Sequence, residues 1–221
     1  MDTRLDKARS NMIQQQIQPW NVADDKVLSV MADIPREQFV STAYRNLAYA
    51  DLEIPIGEGQ TMLAPTMAAH MLQALAIRPD DKVLQIGTGT GYITACLSHL
   101  GGPVIGLEIH ASLAEQAQKV LWTLQLRQPE IRVGNGLAEP IAGGPFDVIA
   151  VTGSLPNTTA LAMLEAQSTL GGRLFVVIGE EPAMKALIVT RITERDFRHQ
   201  SLLETCIPAL EQAPEPERFV F

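Results

Sequence analysis

The chain has 221 residues, 46% of them hydrophobic, with a formal net charge of −8 and a pI near 5.0. That length and apolar content support one sizeable core, or a core with an appended lobe, and a single domain over residues 1–221 is expected. The acidic balance argues against a nucleic-acid partner, because non-specific affinity for phosphates comes from clustered Lys and Arg, and favours a small-molecule or protein substrate.

The first residues, Met1-Asp2-Thr3-Arg4-Leu5-Asp6-Lys7, are charged and lack the apolar segment of a secretory signal. No run approaches the ~18 apolar residues of a membrane span, so a soluble cytoplasmic protein with no membrane partner is expected. Residues 1 to about 50 read as polar helices with weak apolar stripes at Met12-Ile13, Ile17, Val27-Leu28 and Val30-Met31, stopped by Pro19 and Pro35. Residues 51–65, with two prolines and two glycines between single apolar residues, read as an ordered loop lying against something. Thr66 to Ala76, rich in Ala, Met and Leu, reads as a buried helix. Together residues 1–78 form the expected N-terminal helical cap and acceptor loop, and residues 79–221 the expected α/β core.

The pattern changes at Val83. The run Val83-Leu84-Gln85-Ile86 suits a strand buried on both faces, and Gly87-Thr88-Gly89-Thr90-Gly91 then turns into a helix over Ile93 to Leu100. Such a turn lets a ligand approach the backbone closely, at a helix N-terminus whose N–H groups are free to donate. Strand and helix alternate from there: Val104 to Glu108, a helix over Leu113 to Leu126, a short strand Ile131 to Val133 ending on Gly134-Asn135-Gly136, and a strand Phe146 to Val151. A helix over Leu161 to Leu170, a Gly171-Gly172 turn and a strand Arg173 to Ile178 follow. Two apolar runs, Ala186 to Ile192 and Leu202 to Ile207, flank a charged turn and predict an antiparallel hairpin at one sheet edge. The tail from Ala213 to Phe221 is proline-rich and either docks or frays. Cys96 and Cys206 have no metal-type or redox spacing and read as buried free thiols. His70, His99, His110 and His199 share no ligand spacing and read as structural or solvated, so no metal is expected.

Glu108 closes the strand after the glycine turn, where a carboxylate can accept hydrogen bonds from both hydroxyls of a ribose. The glycine spacing is Gly-x-Gly-x-Gly rather than the Gly-x-Gly-x-x-Gly of dinucleotide folds, which moves the expectation from NAD to S-adenosyl-L-methionine. Four segments, Pro35 to Val40, Ile54 to Thr61 with Pro65 and Met67, Val83 to Tyr92, and Pro145 to Thr152, resemble the protein-L-isoaspartate O-methyltransferase family in the same order. The resemblance implies a class I, Rossmann-like methyltransferase fold: a seven-stranded, mostly parallel sheet with helices on both faces and an N-terminal helical cap. It also implies transfer of a methyl group from S-adenosyl-L-methionine to the free carboxylate of isoaspartyl residues in a damaged protein or peptide. On this resemblance the cofactor residues are Gln85, Gly87, Thr88, Gly89, Gly91, Glu108, Asn135 and Thr152, and the acceptor loop carries Thr61 and Leu63.

Where this chain departs from the family pattern, it does so at these positions. Gln85 and Asn135 stand where the family has Glu and Asp, and Leu63 stands where it has a serine associated with the acceptor. Gly153-Ser154 replaces Ala-Ala, with Ser154 either compensating at the site or capping the next helix. Two alternatives follow: from Leu63, a same-fold methyltransferase with another acceptor; from the changes at Leu63, Gln85 and Asn135 together, a cofactor-binding protein that has lost isoaspartyl activity.

Overall fold

The computed structural model describes residues 3–127 and 129–215, so Phe219-Val220-Phe221 lies outside the described residues. Helices α1 (Thr3–Asn11) and α2 (Asp25–Asp33) open the chain. Asp24 caps α2, its carboxylate accepting from the N–H groups of Lys26 and Val27, a cap worth about 0.5–2 kcal/mol. The segment read as a loop contains a small hairpin, β1 (Ile54–Gly57) and β2 (Gln60–Met62), which among the described residues pair only with each other. Its strands are three and four residues long, too short for alternation to show in sequence. Pro65 then opens α3 (Pro65–Leu75), where its missing N–H costs no helical bond.

Beyond α3 come β3 (Val83–Ile86), α4 (Tyr92–Leu100), β4 (Val104–Glu108), α5 (Ala111–Thr123), β5 (Glu130–Val133), β6 (Phe146–Leu155), α6 (Leu161–Ala166), β7 (Ser168–Ile178), β8 (Met184–Arg191) and β9 (Phe197–Thr205). The seven strands from β3 onward form one sheet in the order β5-β4-β3-β6-β7-β8-β9. Neighbours from β5 through β7 are parallel, and β8 and β9 add an antiparallel edge, as the two late apolar runs predict. Alternate residues supply two cores. Val83, Val148, Ala150, Phe175 and Val177 pack under Met31, Met71, Leu72 and Leu97, while Leu84, Ile149, Val151, Leu174 and Val176 pack under Leu161 and Leu164 of α6.

Two expectations are corrected here. Helix α6 stops at Ala166 rather than Leu170, and β7 already begins at Ser168, which pairs with Phe146; the register then slips across Gly171-Gly172, with Gly171 at φ +75°, before Arg173 pairs with Val148. Long-range pairing decides this: the Phe146 N–H donates to the Gln167 carbonyl at 2.8 Å, drawing the chain into the sheet before the glycines. Cys206 is exposed, just past the end of β9, while Cys96 is buried in α4 with its thiol pKa pushed up to about 12 by burial. Among the described residues no helix is long and apolar enough to cross a membrane.

Candidate active site

The strand order reverses at β3, whose neighbours are β4 on one side and β6 on the other. In parallel sheets the crevice at such a reversal, outside the strands' carboxyl ends, is where ligands bind. A cleft of about 710 Å³, counting its open mouth, lies there.

Its floor is the glycine turn. Gly87 has φ +83°, and a Cβ there would come within 2.7 Å of the Thr152 hydroxyl, so both the backbone angle and the space require glycine. Thr152, on β6, shares its hydroxyl proton between the carbonyls of Ile86 at 2.9 Å and Gly87 at 2.5 Å, which braces the turn. Gly89 N–H donates to Glu108 Oε2 at 2.7 Å, and Glu108 Oε1 accepts from the N–H of His110 at 3.1 Å. The carboxylate is thus buried on the cleft wall with lone pairs left over.

Beside this cleft a second pocket is lined by Met62, Leu63, Gln85, Thr88 and Tyr92. Gln85 is fully buried; its Nε2 donates to the Gly87 carbonyl at 3.0 Å, and its Oε1 has no partner. An unpaired buried carbonyl oxygen is costly unless a ligand donor reaches it, and this one belongs to a residue lining the pocket. Asn135 forms the opposite rim. Its Oδ1 accepts from the Leu137 N–H at 2.8 Å, and its Nδ2 donates to Gln212 Oε1 at 3.1 Å. An aspartate at this position would need the Gln212 amide turned to present its NH₂ group.

The roof comes from the β1–β2 hairpin, with Ile56, Gln60, Thr61 and Leu63 all lining the cleft. Thr61 donates its hydroxyl to Glu53 at 3.2 Å, and burial raises the Glu53 carboxyl above its usual range. Leu63 is held by its main chain. Arg36, fully buried, donates from Nη2 to the Leu63 carbonyl at 2.6 Å and from Nε to the Ala48 carbonyl at 2.8 Å. Its guanidinium lies 4.9 Å from the centre of the Tyr92 ring, and burial lowers its pKa below the ordinary arginine value.

Of the ten residues expected from sequence, Thr61, Leu63, Gly87, Gly89, Glu108, Asn135 and Thr152 line the main cleft, and Gln85 and Thr88 line the second pocket. Gly91 lies outside both linings. It starts α4 at φ +86°, and a Cβ there would stand 3.0 Å from that of Ala117, so it serves helix packing. Ser154 neither faces the cleft nor caps a helix; it is buried in β6 and donates to the Ile207 carbonyl at 3.0 Å.

That bond belongs to a feature sequence reasoning missed. Residues 208–212 run across the cleft as a strap, with Ala209 bridging Ser154 and Leu210 against the glycine turn. Glu211 pairs with His110 Nε2 at 2.8 Å, placing that histidine in the cleft wall. The stretch Pro208-Ala209-Leu210-Glu211-Gln212 has no periodicity, so nothing local announces it.

The donor set suits S-adenosyl-L-methionine. Glu108 offers acceptors for two ribose hydroxyls, Gln85 Oε1 offers an acceptor for an ammonium, and Ile86, Leu107, Leu113 and Leu137 supply apolar walls for a base. A doubly wound sheet with a glycine turn under a strand-end carboxylate defines a class I methyltransferase fold. Residues 7–210 match the model of the family described as protein-L-isoaspartate(D-aspartate) O-methyltransferase. The chain belongs to that family. It is 41% identical to the protein-L-isoaspartate O-methyltransferase of Koribacter versatilis over 187 residues, covering 85% of this chain and 82% of the relative. It is 34% identical to protein-L-isoaspartate O-methyltransferase 1 of Rhodopseudomonas palustris over 216 residues, covering 94% and 87%. The same fold occurs in a Plasmodium falciparum protein assigned as a protein-L-isoaspartate O-methyltransferase and crystallised with S-adenosyl-L-homocysteine. The TM-score is 0.76 at 21% identity, covering 94% of this chain and 98% of that one.

Proposed function

We propose that this chain, acting as one methyltransferase domain with residues 1–78 as cap and 79–221 as cofactor core, methylates the free carboxylate of L-isoaspartyl residues in damaged proteins. One observation carries the reading: family segments far apart in sequence meet at a single cleft. The hairpin residues Thr61 and Leu63, the turn at Gly87 to Gly89, the strand-end Glu108 and Thr152 all line it. The remaining segment, Pro35 to Val40, acts through Arg36, which fixes the hairpin end at Leu63.

The acceptor carboxylate has an ordinary pKa near 4, so it is an anion at pH 7 and needs no general base. S-adenosyl-L-methionine, when bound, supplies a methyl group on a cationic sulfur, which the carboxylate oxygen displaces to leave a neutral thioether. The protein's share is position and dryness. Glu108 would hold the cofactor's ribose and Gln85 its ammonium, the brace from Thr152 holds the glycine turn, and the buried Leu63 side chain keeps water from the roof. A main-chain amide nitrogen of the substrate then attacks the ester carbonyl and expels methanol, giving a succinimide whose hydrolysis restores some normal aspartate. Labelled methyl transfer to an isoaspartyl peptide, with the normal-aspartyl peptide as control, tests this; label in the isoaspartyl peptide alone is expected, and equal label in both contradicts it.

Leu63 favours a second reading, a shifted acceptor. Leu63→Ser tests it: Arg36 still holds the main chain at position 63, and a thermal melt accounts for the loss of the buried leucine side chain. A serine hydroxyl donating to the acceptor should raise kcat/KM on an isoaspartyl peptide about ten- to a hundredfold. A wild type inactive on isoaspartate and rescued by this change would establish the second reading; no gain would show that the leucine costs nothing.

A further inference from the structure

On the far side of the β1–β2 hairpin lies a groove of about 810 Å³, counting its open mouth, that the cofactor and acceptor sites leave unused. Its walls are the segment from Gln38 to Tyr44, strand β1 at Pro55 to Gly57, and one side of α5 at Gln116 and Val120. We propose that this groove holds the extended main chain that flanks the acceptor residue of a polypeptide substrate. The inference rests on the polypeptide acceptor proposed above.

Three observations point to that occupant. The groove adjoins the transfer site: Ile56 lines the groove, the main cleft and the second pocket, and Thr90 lines the groove and the second pocket. A chain with one residue at Leu63 would cross the hairpin at Ile56 to reach it.

Next, the lining carries no Asp, Glu, Lys, Arg or His, although the molecule as a whole has a net charge of −8. A damaged residue can occur in any sequence, and a surface that reads no charge accepts the widest range of flanks. What the lining offers instead suits main chain: side-chain amides from Gln38 and Gln116, hydroxyls from Ser41 and Thr90, and apolar contact from Phe39, Val40 and Val120.

Finally, among the described residues β1 pairs only with β2 and its other edge has no strand partner, and its residues Pro55, Ile56 and Gly57 run along the groove wall. An open strand edge is a template for an added extended chain, with main-chain bonds giving affinity and the neighbouring pocket taking side chains. The hairpin register slips at Ile56, which has no Cα partner in β2 and lines both groove and cleft.

The test compares an uncharged isoaspartyl octapeptide with a blocked single isoaspartyl residue, in wild type, Val120→Trp and Gln116→Trp. Val120 is half-buried, and Gln116, one helical turn earlier, is exposed, so the second variant fills the groove without touching the core. Both variants should raise the ratio of the octapeptide KM to the single-residue KM at least about tenfold, because only the longer acceptor reaches the groove. An unchanged ratio, or equal loss on both acceptors, overturns the proposal. Binding of a fluorescein-labelled octapeptide is measured in parallel. Wild type that binds it without turnover, with binding weakened at least tenfold by Gln116→Trp, keeps the groove and overturns the methyl-transfer reading. Wild type that neither binds nor methylates it overturns both.

Discussion

Replacing Glu108 with glutamine is expected to weaken S-adenosyl-L-methionine binding about 100- to 1,000-fold while leaving the protein folded. The carboxylate is 5% exposed, and its two oxygens already accept from the N–H groups of Gly89 and His110. Ribose hydroxyls would add two more bonds to the same charge, each worth about 1.5–3 kcal/mol when the acceptor is ionised. Glutamine keeps the shape but loses the charge. It also turns one acceptor into an NH₂ group, which must face either an N–H of the turn or a ribose hydroxyl. Titration calorimetry reads the loss, and circular dichroism confirms the fold. A dissociation constant within threefold of wild type would remove Glu108 from the cofactor site.

Arg36→Ala should be the most destabilising single change near the site, by about 3–5 kcal/mol, or roughly 10 °C in Tm for a chain of this size. Arg36 is the largest of the fully buried side chains, and its removal leaves the Ala48 and Leu63 carbonyls without their donors and a void against Tyr92. Burial disfavours the charge and lowers the Arg36 pKa; two carbonyls and the ring face offset only part of that cost, and Nη1 is left without a hydrogen-bond partner. Arg36→Lys separates packing from geometry. A single ammonium cannot reproduce the planar fork that spans both carbonyls, so the hairpin end at Leu63 loosens. With Lys, the acceptor KM should rise while the cofactor dissociation constant moves less than threefold. Thermal melting and steady-state kinetics check both statements, and a Tm within 2–3 °C of wild type in the alanine variant would contradict the pinning role assigned to Arg36.

The parts of the site that could be read from sequence are those built by contiguous residues. Val83 to Gly91 states its strand, turn and helix start in one run, and Glu108 ends the next strand, so the cleft floor follows from local pattern and parallel-sheet geometry. Even there the turn divides: Gly87 and Gly89 line the cleft, whereas Gly91 makes room for Ala117. The parts that stayed hidden are closed by distant partners. The hairpin exists because Ile54 and Met62 pair and bury together, which prolines and glycines in a loop-like stretch do not reveal. The strap over residues 208–212 depends on Ser154, Asn135 and His110, each far away in sequence. The role of Asn135 changes with it. As a departure from the family's aspartate it looks like a loss, yet its amide donates to Gln212 and holds the strap to the rim.

The most direct measurement follows an isoaspartyl peptide and its aspartyl isomer by chromatography and mass spectrometry during incubation with the purified protein and S-adenosyl-L-methionine. The predicted course is a methyl ester formed on the isoaspartyl peptide alone, then a succinimide, then a growing aspartyl peak. An isoaspartyl peak that stays constant while the protein binds the cofactor would contradict the central claim and leave a methyltransferase fold with a different acceptor or none.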